Sequence, residues 1–181
     1  MNFYISDQQF GQKSIIKMCH RPFIDVDDMN KTMILNHNNA VSTVDDVWIL
    51  GDLCYKINSS EVYNIISKLN GRKHLIIGNH DGKLLQDEEC RKLFEDIQQI
   101  AKINDNGKEI LMFHYPIVEW DGYYRDTIHL YGHIHNNVNN NAYKVMKNIP
   151  NAYNVSADIL NYRPRKLEDV IKMNEKFFAE N

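Results

Sequence analysis

Five short, largely apolar runs constrain the fold of this chain more than any other feature, because each ends abruptly on a polar residue or a glycine. Residues 2–5 lead into Ser6-Asp7, residues 47–50 into Gly51-Asp52, and residues 73–77 into Gly78-Asn79-His80-Asp81. Residues 110–113 lead into His114, and residues 127–131 into Gly132-His133-Ile134-His135. Runs of this length with apolar neighbours on both sides suit strands covered on both faces. Helical spacing marks residues 25–38, 59–69, 88–97 and 166–178. In the second of these, Val62, Ile65, Ile66 and Leu69 share a face behind a Ser60 cap candidate. In the last, Leu167, Val170, Ile171 and Phe178 follow Pro164, a residue that a helix start tolerates. The polar stretch 136–148 reads as a loop with a hairpin. Strands alternating with helices imply an α/β layered domain.

With 181 residues, the chain fits one domain, residues 1–181, and 43% hydrophobic content suffices for a sizeable core. A formal net charge of -3 gives no general attraction to nucleic acid, so no extended nucleic-acid binding is expected. Cys19, Cys54 and Cys90 form no CxxC pair, which argues against a zinc ribbon or a disulfide framework and for reduced thiols in the cytoplasm. The N-terminus lacks the pattern of a signal peptide, and no run approaches the apolar length of a membrane span.

In open α/β sheets, ligands collect beyond the carboxyl ends of strands. Asp7, Asp52, Asn79, His114, His133 and His135 all follow such ends. Carboxylate, amide and imidazole together suit Mn, Fe, Zn or Ni rather than Ca. Six side chains exceed the needs of one four-coordinate ion and can serve two if a carboxylate bridges them. Two such metals clamp a phosphate and activate a bridging hydroxide. Gly51, Gly78 and Gly132 are expected to let the backbone turn sharply at the strand exits.

In this order, the blocks Asp7, Gly51-Asp52, Gly78-Asn79-His80-Asp81, His114 and Gly132-His133-Ile134-His135 closely resemble the calcineurin-like metallophosphoesterase superfamily. That superfamily's blocks are written DxH, GD, GNH followed by D or E, H, and GHxH. The stretches FYISDQQFG, RPF, HYPIVEW and NVSADILNYRP are similar to a compact bacterial and phage branch of hydrolases. The resemblance runs from the first strand to the C-terminal helix. It implies an α/β/β/α sandwich of two mixed sheets flanked by helices, with the metal site at the carboxyl ends of the strands. It further implies that Asp7 and His135 hold a first metal, that Asp52 bridges, and that Asn79, His114 and His133 hold a second. His80 would touch the phosphate and protonate the leaving oxygen as general acid, with Asp81 orienting it.

One position departs from the pattern. Where the family carries the histidine of DxH, this chain has Gln9. Gln9 either ligates through its amide oxygen, favouring Mn or Mg, or leaves the first site weak, or impairs the chain outright. Gln12 is expected to stand behind the ligands rather than among them. Arg21, Tyr115 and Arg163 are candidates for substrate contact. His20, His37, His74 and His129 read as surface or packing residues, Asp25, Asp27, Asp28, Asp45 and Asp46 as caps, and Trp48 as core. Around Trp120, Tyr123, Tyr124 and Arg125, a structural loop and a substrate wall stand as equal readings. The expected activity is metal-dependent hydrolysis of a phosphodiester or nucleotide-like ester, with Mn the leading metal. Gly51-Asp52-Leu53-Cys54-Tyr55-Lys56 lacks the arginine that protein phosphatases of the superfamily carry. The alternative is a metal-binding scaffold of the same fold without catalysis.

Overall fold

The computed structural model describes residues 1–181. In chain order the elements are β1 (Asn2–Ile5), α1 (Lys13–Met18), α2 (Val26–Ala40), β2 (Asp46–Ile49) and α3 (Ser59–Ile66). Next come β3 (Arg72–Ile76), α4 (Gly82–Gln86), α5 (Glu88–Arg91), β4 (Asp96–Gln98), β5 (Ile100–Asp105) and β6 (Lys108–Phe113). A 3-10 turn at Tyr123–Arg125 precedes β7 (Ile128–Tyr131), α6 (Asn141–Met146), β8 (Ala152–Asn154) and α7 (Leu167–Glu180).

Strands β1-β2-β3-β4 form one four-stranded sheet and β5-β6-β7-β8 the other, flanked by helices as the resemblance implied. All pairings of the first sheet's strands are parallel, and an antiparallel bridge between Tyr4 and Arg165 adds to its edge. The second sheet is mixed, with β5 antiparallel to β6 and the remaining pairs parallel.

The apolar runs have no polar face because each sheet is covered on both sides. Side chains alternate along a strand, so Phe3, Ile5, Val47, Ile49 and Leu75 point one way, into a core shared with Met29, Met33, Val62 and Ile66 of the helices. Tyr4, Trp48, Leu50 and Ile76 point the other way and meet Ile110, Met112, Ile128 and Leu130 between the sheets. On the far side, Leu111, Tyr131 and Ala152 pack on Tyr143 and Met146 of α6 and on Phe177 and Phe178 of α7. The order of layers is therefore helix, sheet, sheet, helix. No helix is long and apolar enough to cross a membrane.

Several local expectations are corrected. Helix α3 starts at Asn58 rather than on a Ser60 cap: the Asn58 side chain accepts from the Glu61 amide while Glu61 reaches back, a complete capping box. The helix expected over 88–97 stops at Arg91, and the chain turns through Leu93 and Phe94 into β4. In 136–148 there is no hairpin: Asn140 caps α6, which is anchored by Tyr143 and Met146. Asp25 does cap α2, accepting from the Asp28 amide. Asp45 instead holds the terminal amine and Ser42, and Asp46 pairs with Arg72 and His74. Trp48 is core, and Trp120 is equally buried, its indole N–H donating to the Thr127 carbonyl, so its loop is structural there. His37 and His129 are packed inside, and the three cysteines are free and buried.

Candidate metal centre

Asp7, Gln9, Asp52, His133 and His135 all have left-handed backbone conformations, with φ between 50° and 70°. Non-glycine residues rarely adopt this region, and it persists where the surroundings over-determine it. Here each strand exit is pinned by its neighbours. Backbone bonds run from the Asp7 amide to the Gly51 carbonyl and from the Gln9 amide to the Asp52 carbonyl.

The turn expected at three glycines is needed only at Gly51, with φ of +85°. A Cβ there would also lie 2.6 Å from the Gly78 backbone and 2.7 Å from His114 Nδ1. Gly78 and Gly132 serve by being small: a Cβ on Gly78 would collide with Asp52 Oδ1, and one on Gly132 with Ser6 Oγ and Asp7 Oδ2.

The structure brings the expected ligands together. Asp52, His114 and His133 offer ligand atoms that all lie within 4.8 Å of one another. His114 Nε2 is 3.6 Å from Asp52 Oδ2 and 3.1 Å from Asn79 Oδ1. Gln9 Nε2 donates to the same Asp52 oxygen at 3.1 Å. Asp7 Oδ2 accepts from Ser6 Oγ (2.6 Å), Ser156 Oγ (2.9 Å) and the His133 amide (2.9 Å), which ties the Asp7 end of the cluster to the His133 end. Asp7 Oδ1 lies 3.9 Å from His135 Nε2.

Several of these atoms are left in positions that call for a cation. His114 Nδ1 faces the Leu50 carbonyl at 2.8 Å while Nε2 faces the Asn79 oxygen. With its proton on the Leu50 side, the ring turns the Nε2 lone pair towards the Asn79 oxygen and the cluster, where a cation could take up both. Asp7 Oδ1 and Gln9 Oε1 are buried without any hydrogen-bond partner. Unpaired buried oxygens are costly, and their lone pairs are available to a cation. The residues present therefore fit divalent metals, and the Gln9 oxygen is available to one.

Behind His135 stands a residue that sequence reasoning missed. Asp158 Oδ2 faces His135 Nδ1 at 2.8 Å, and the carboxylate is forked by Arg21 Nε (2.9 Å) and Nη2 (3.2 Å). Burial opposes a proton on His135, but the bonds to Asp158 and Cys19 and the charge of Asp7 outweigh it and push its pKa up to about 10. Burial alone would raise the Asp158 carboxyl, yet His135 and Arg21 together hold it below its usual range. Cys19, His135 and Asp158 also lie within ligand reach of one another. A cation there would meet the Arg21 guanidinium, and His135 Nδ1 is already spent, so this group supports the ligand rather than forming a centre of its own. Burial, with His114 nearby, lowers His133 and favours its neutral form.

Other expected residues are placed differently. Arg21 is fully buried and spends its donors on Asp158, on the Asp7 and Gln8 carbonyls and on methionine sulfurs, so it braces the ligand loop instead of touching substrate. Arg163 reaches the Asn39 carbonyl at the C-terminal end of α2. Asp81 does not orient His80. Its oxygens accept from the amides of Gly78, Asp52 and Leu53, which clamps two ligand loops together. The His80 ring is half-exposed, with Nε2 3.8 Å from Asp52 Oδ2, and its amide donates to Asp52 Oδ1 at 2.8 Å. Tyr115 stands beside the cluster, its ring 4.6 Å from that of His133. Gln12 is buried and donates to Ser14.

Fold and cluster together define an α/β/β/α protein with candidate metal-ligand groups at its strand ends. No protein-family model matches the sequence. The chain is 34% identical over 179 residues to the uncharacterized protein MJ1445 of Methanocaldococcus jannaschii, spanning 96% of this chain and 91% of that protein, and it belongs to the same family. It is 30% identical over 132 residues to the Gene 66 protein of Mycobacterium phage L5, covering 64% of this chain and 63% of the phage protein. Among solved structures, the protein of unknown function AQ665 from Aquifex aeolicus matches with a TM-score of 0.72 and 25% identity, covering 96% of this chain and 98% of that one.

Proposed function

We propose that this chain is a metal-dependent phosphoesterase of the calcineurin-like kind that hydrolyses a phosphodiester or nucleotide-like ester. The observation that carries the reading is the grouping of Asp52, His114 and His133 ligand atoms within 4.8 Å of one another, with Asp7 Oδ1 and Gln9 Oε1 left buried and unpaired on neighbouring strand exits. Asp7, Gln9, Asp52 and His135 would hold one divalent ion, and Asp52, Asn79, His114 and His133 a second. When bound, such a pair supplies positive charge to a phosphate and makes water more acidic. Mn is the favoured metal, because Gln9 offers a hard amide oxygen in place of an imidazole, and the first site is the weaker.

His80 is the half-exposed acid of the site. Its ring is free to donate a proton to the departing ester oxygen as the phosphorus–oxygen bond to water forms. Tyr115 walls the cluster where a substrate would rest. The three buried thiols fit a reducing, cytoplasmic setting. The substrate is a small phosphoester rather than an extended nucleic acid.

The test is calorimetry with Mn alongside turnover of bis(p-nitrophenyl) phosphate, for the wild type, His80→Ala and Gln9→His. Two unequal metal affinities are expected, with the weaker strengthened in Gln9→His. His80→Ala is expected to lower kcat about 10²–10⁴-fold while retaining metal. Failure to bind Mn, or metal binding without turnover in both wild type and Gln9→His, would overturn the reading, the latter in favour of a scaffold.

A further inference from the structure

A groove of about 470 Å³ is lined in part by His133 and His135 of the candidate ligand cluster. Met18, Cys19 and His20 line it on one side and residues 136–140 on the other. Its volume falls within the range of small-molecule sites. No lysine, arginine or carboxylate lines it, and four of its lining residues are asparagines.

Two of those amides are committed to the architecture. Asn136 Nδ2 donates to the Cys19 carbonyl at 2.9 Å, joining the two walls, and Asn140 Oδ1 accepts from the Ala142 amide at 2.7 Å. The Nδ2 donors of Asn137 and Asn139 are unspent. Asn137 uses only its oxygen, on the Asn139 amide, and the Asn139 side chain makes no bond within the chain. Both are exposed, as is His20.

The opposite flank of the cluster is different in character. There the Tyr55 ring meets His80 edge-on at 4.8 Å, Lys56 Nζ sits 5.0 Å over the Tyr55 ring, and Lys83 shares a depression with His80. The groove, by contrast, offers amides and imidazoles but no lysine or arginine.

We propose that the amide-lined groove binds the uncharged, hydrogen-bonding part of the ester, a nucleoside. Primary amides offer both donors and acceptors, which matches the edges of a nucleobase and the hydroxyls of a sugar. The proposal rests on the phosphoesterase reading above.

The test compares kcat/KM, with Mn, for the p-nitrophenyl ester of thymidine 5′-monophosphate and for bis(p-nitrophenyl) phosphate. At least a tenfold preference for the nucleoside ester is expected. In the Asn137→Ala/Asn139→Ala double variant the ratio should fall to within threefold of unity. Equal rates in the wild type, or a preference that survives the double variant, would overturn the groove proposal and leave the phosphoesterase reading standing. If neither ester turns over in the wild type or in Gln9→His, the phosphoesterase reading falls, and binding decides the groove: thymidine 5′-monophosphate titrated into metal-free protein should shift the Asn137 and Asn139 side-chain amide signals in NMR. Unmoved signals would refute it.

Discussion

Replacing Asp158 with alanine removes three acceptor contacts at once: those of Arg21 Nε, Arg21 Nη2 and His135 Nδ1. Both side chains of the Arg21–Asp158 pair are wholly excluded from solvent, so the guanidinium cannot turn to water when its partner is lost. Breaking a buried pair on one side costs about 3–5 kcal/mol, mostly the penalty of the charge left behind. That is a large fraction of the stability of a typical domain, about 5–15 kcal/mol. If the unpaired charge is the cause, removing it as well should help. Arg21→Met/Asp158→Leu is expected to recover about 1–2 kcal/mol relative to Asp158→Ala. Recovery stays incomplete because the Asp7 and Gln8 carbonyls lose their guanidinium donor. Urea unfolding of the metal-free proteins measures all three differences. The functional arm uses Asp158→Asn, which keeps the shape but not the charge, and Mn calorimetry: loss of the carboxylate behind a ligating imidazole typically weakens affinity 10–100-fold. An Asp158→Ala protein within 1 kcal/mol of wild type on the scale of surface changes, or an Asp158→Asn protein with undiminished Mn affinity, would refute the reasoning.

Acid should destabilise the fold in a defined window. Burial holds His37 and His129 down at about 4, so the folded chain refuses protons that the unfolded chain accepts from 6.5 downwards. Their contribution is therefore complete above 6.5 and is lost as pH falls towards 4, on the order of 3 kcal/mol each. Urea midpoints across that range check it, and a pH dependence unchanged in both His37→Gln and His129→Gln would refute it. Gly132→Ala is expected to cost about 1–3 kcal/mol by overpacking, a fall in Tm of roughly 3–10 °C, because the new methyl meets Ser6 and Asp7. Gly82→Ala, where a Cβ meets nothing within 4 Å, is the control and should show no such loss in the same melt.

How much of this could be read in advance differs by kind of residue. The strands were legible because their cover on both faces leaves continuous apolar runs, and the candidate ligands because polar residues interrupt those runs at one end. Asp158 was not legible. It is a lone acid within NVSADILNYRP, and its meaning comes from Arg21, 137 positions away, and from His135. Arg21 was misread for the same reason, since a cation near a phosphate site and a cation buried beneath it look alike in one dimension. Helix α6 was hidden by composition: Tyr143 and Met146 are its buried anchors in an asparagine-rich stretch. The helix expected over 88–97 failed because Leu93, Phe94 and Ile97 pack against the core from a turn and a short strand, a spacing that mimics a helical face.

The left-handed conformations at Asp7, Gln9, Asp52, His133 and His135 bear on how metal would arrive. Each disfavoured backbone state costs on the order of 1–3 kcal/mol, and here the two packed sheets impose it during folding. A metal ion would then meet ligands already in place, with little chain entropy to lose and little rearrangement to wait for. Substituting glycine at Asp7 would relieve backbone tension but would strip the acceptor from Ser6, Ser156 and the His133 amide and remove a candidate ligand, so relaxing the backbone and keeping the site pull in opposite directions.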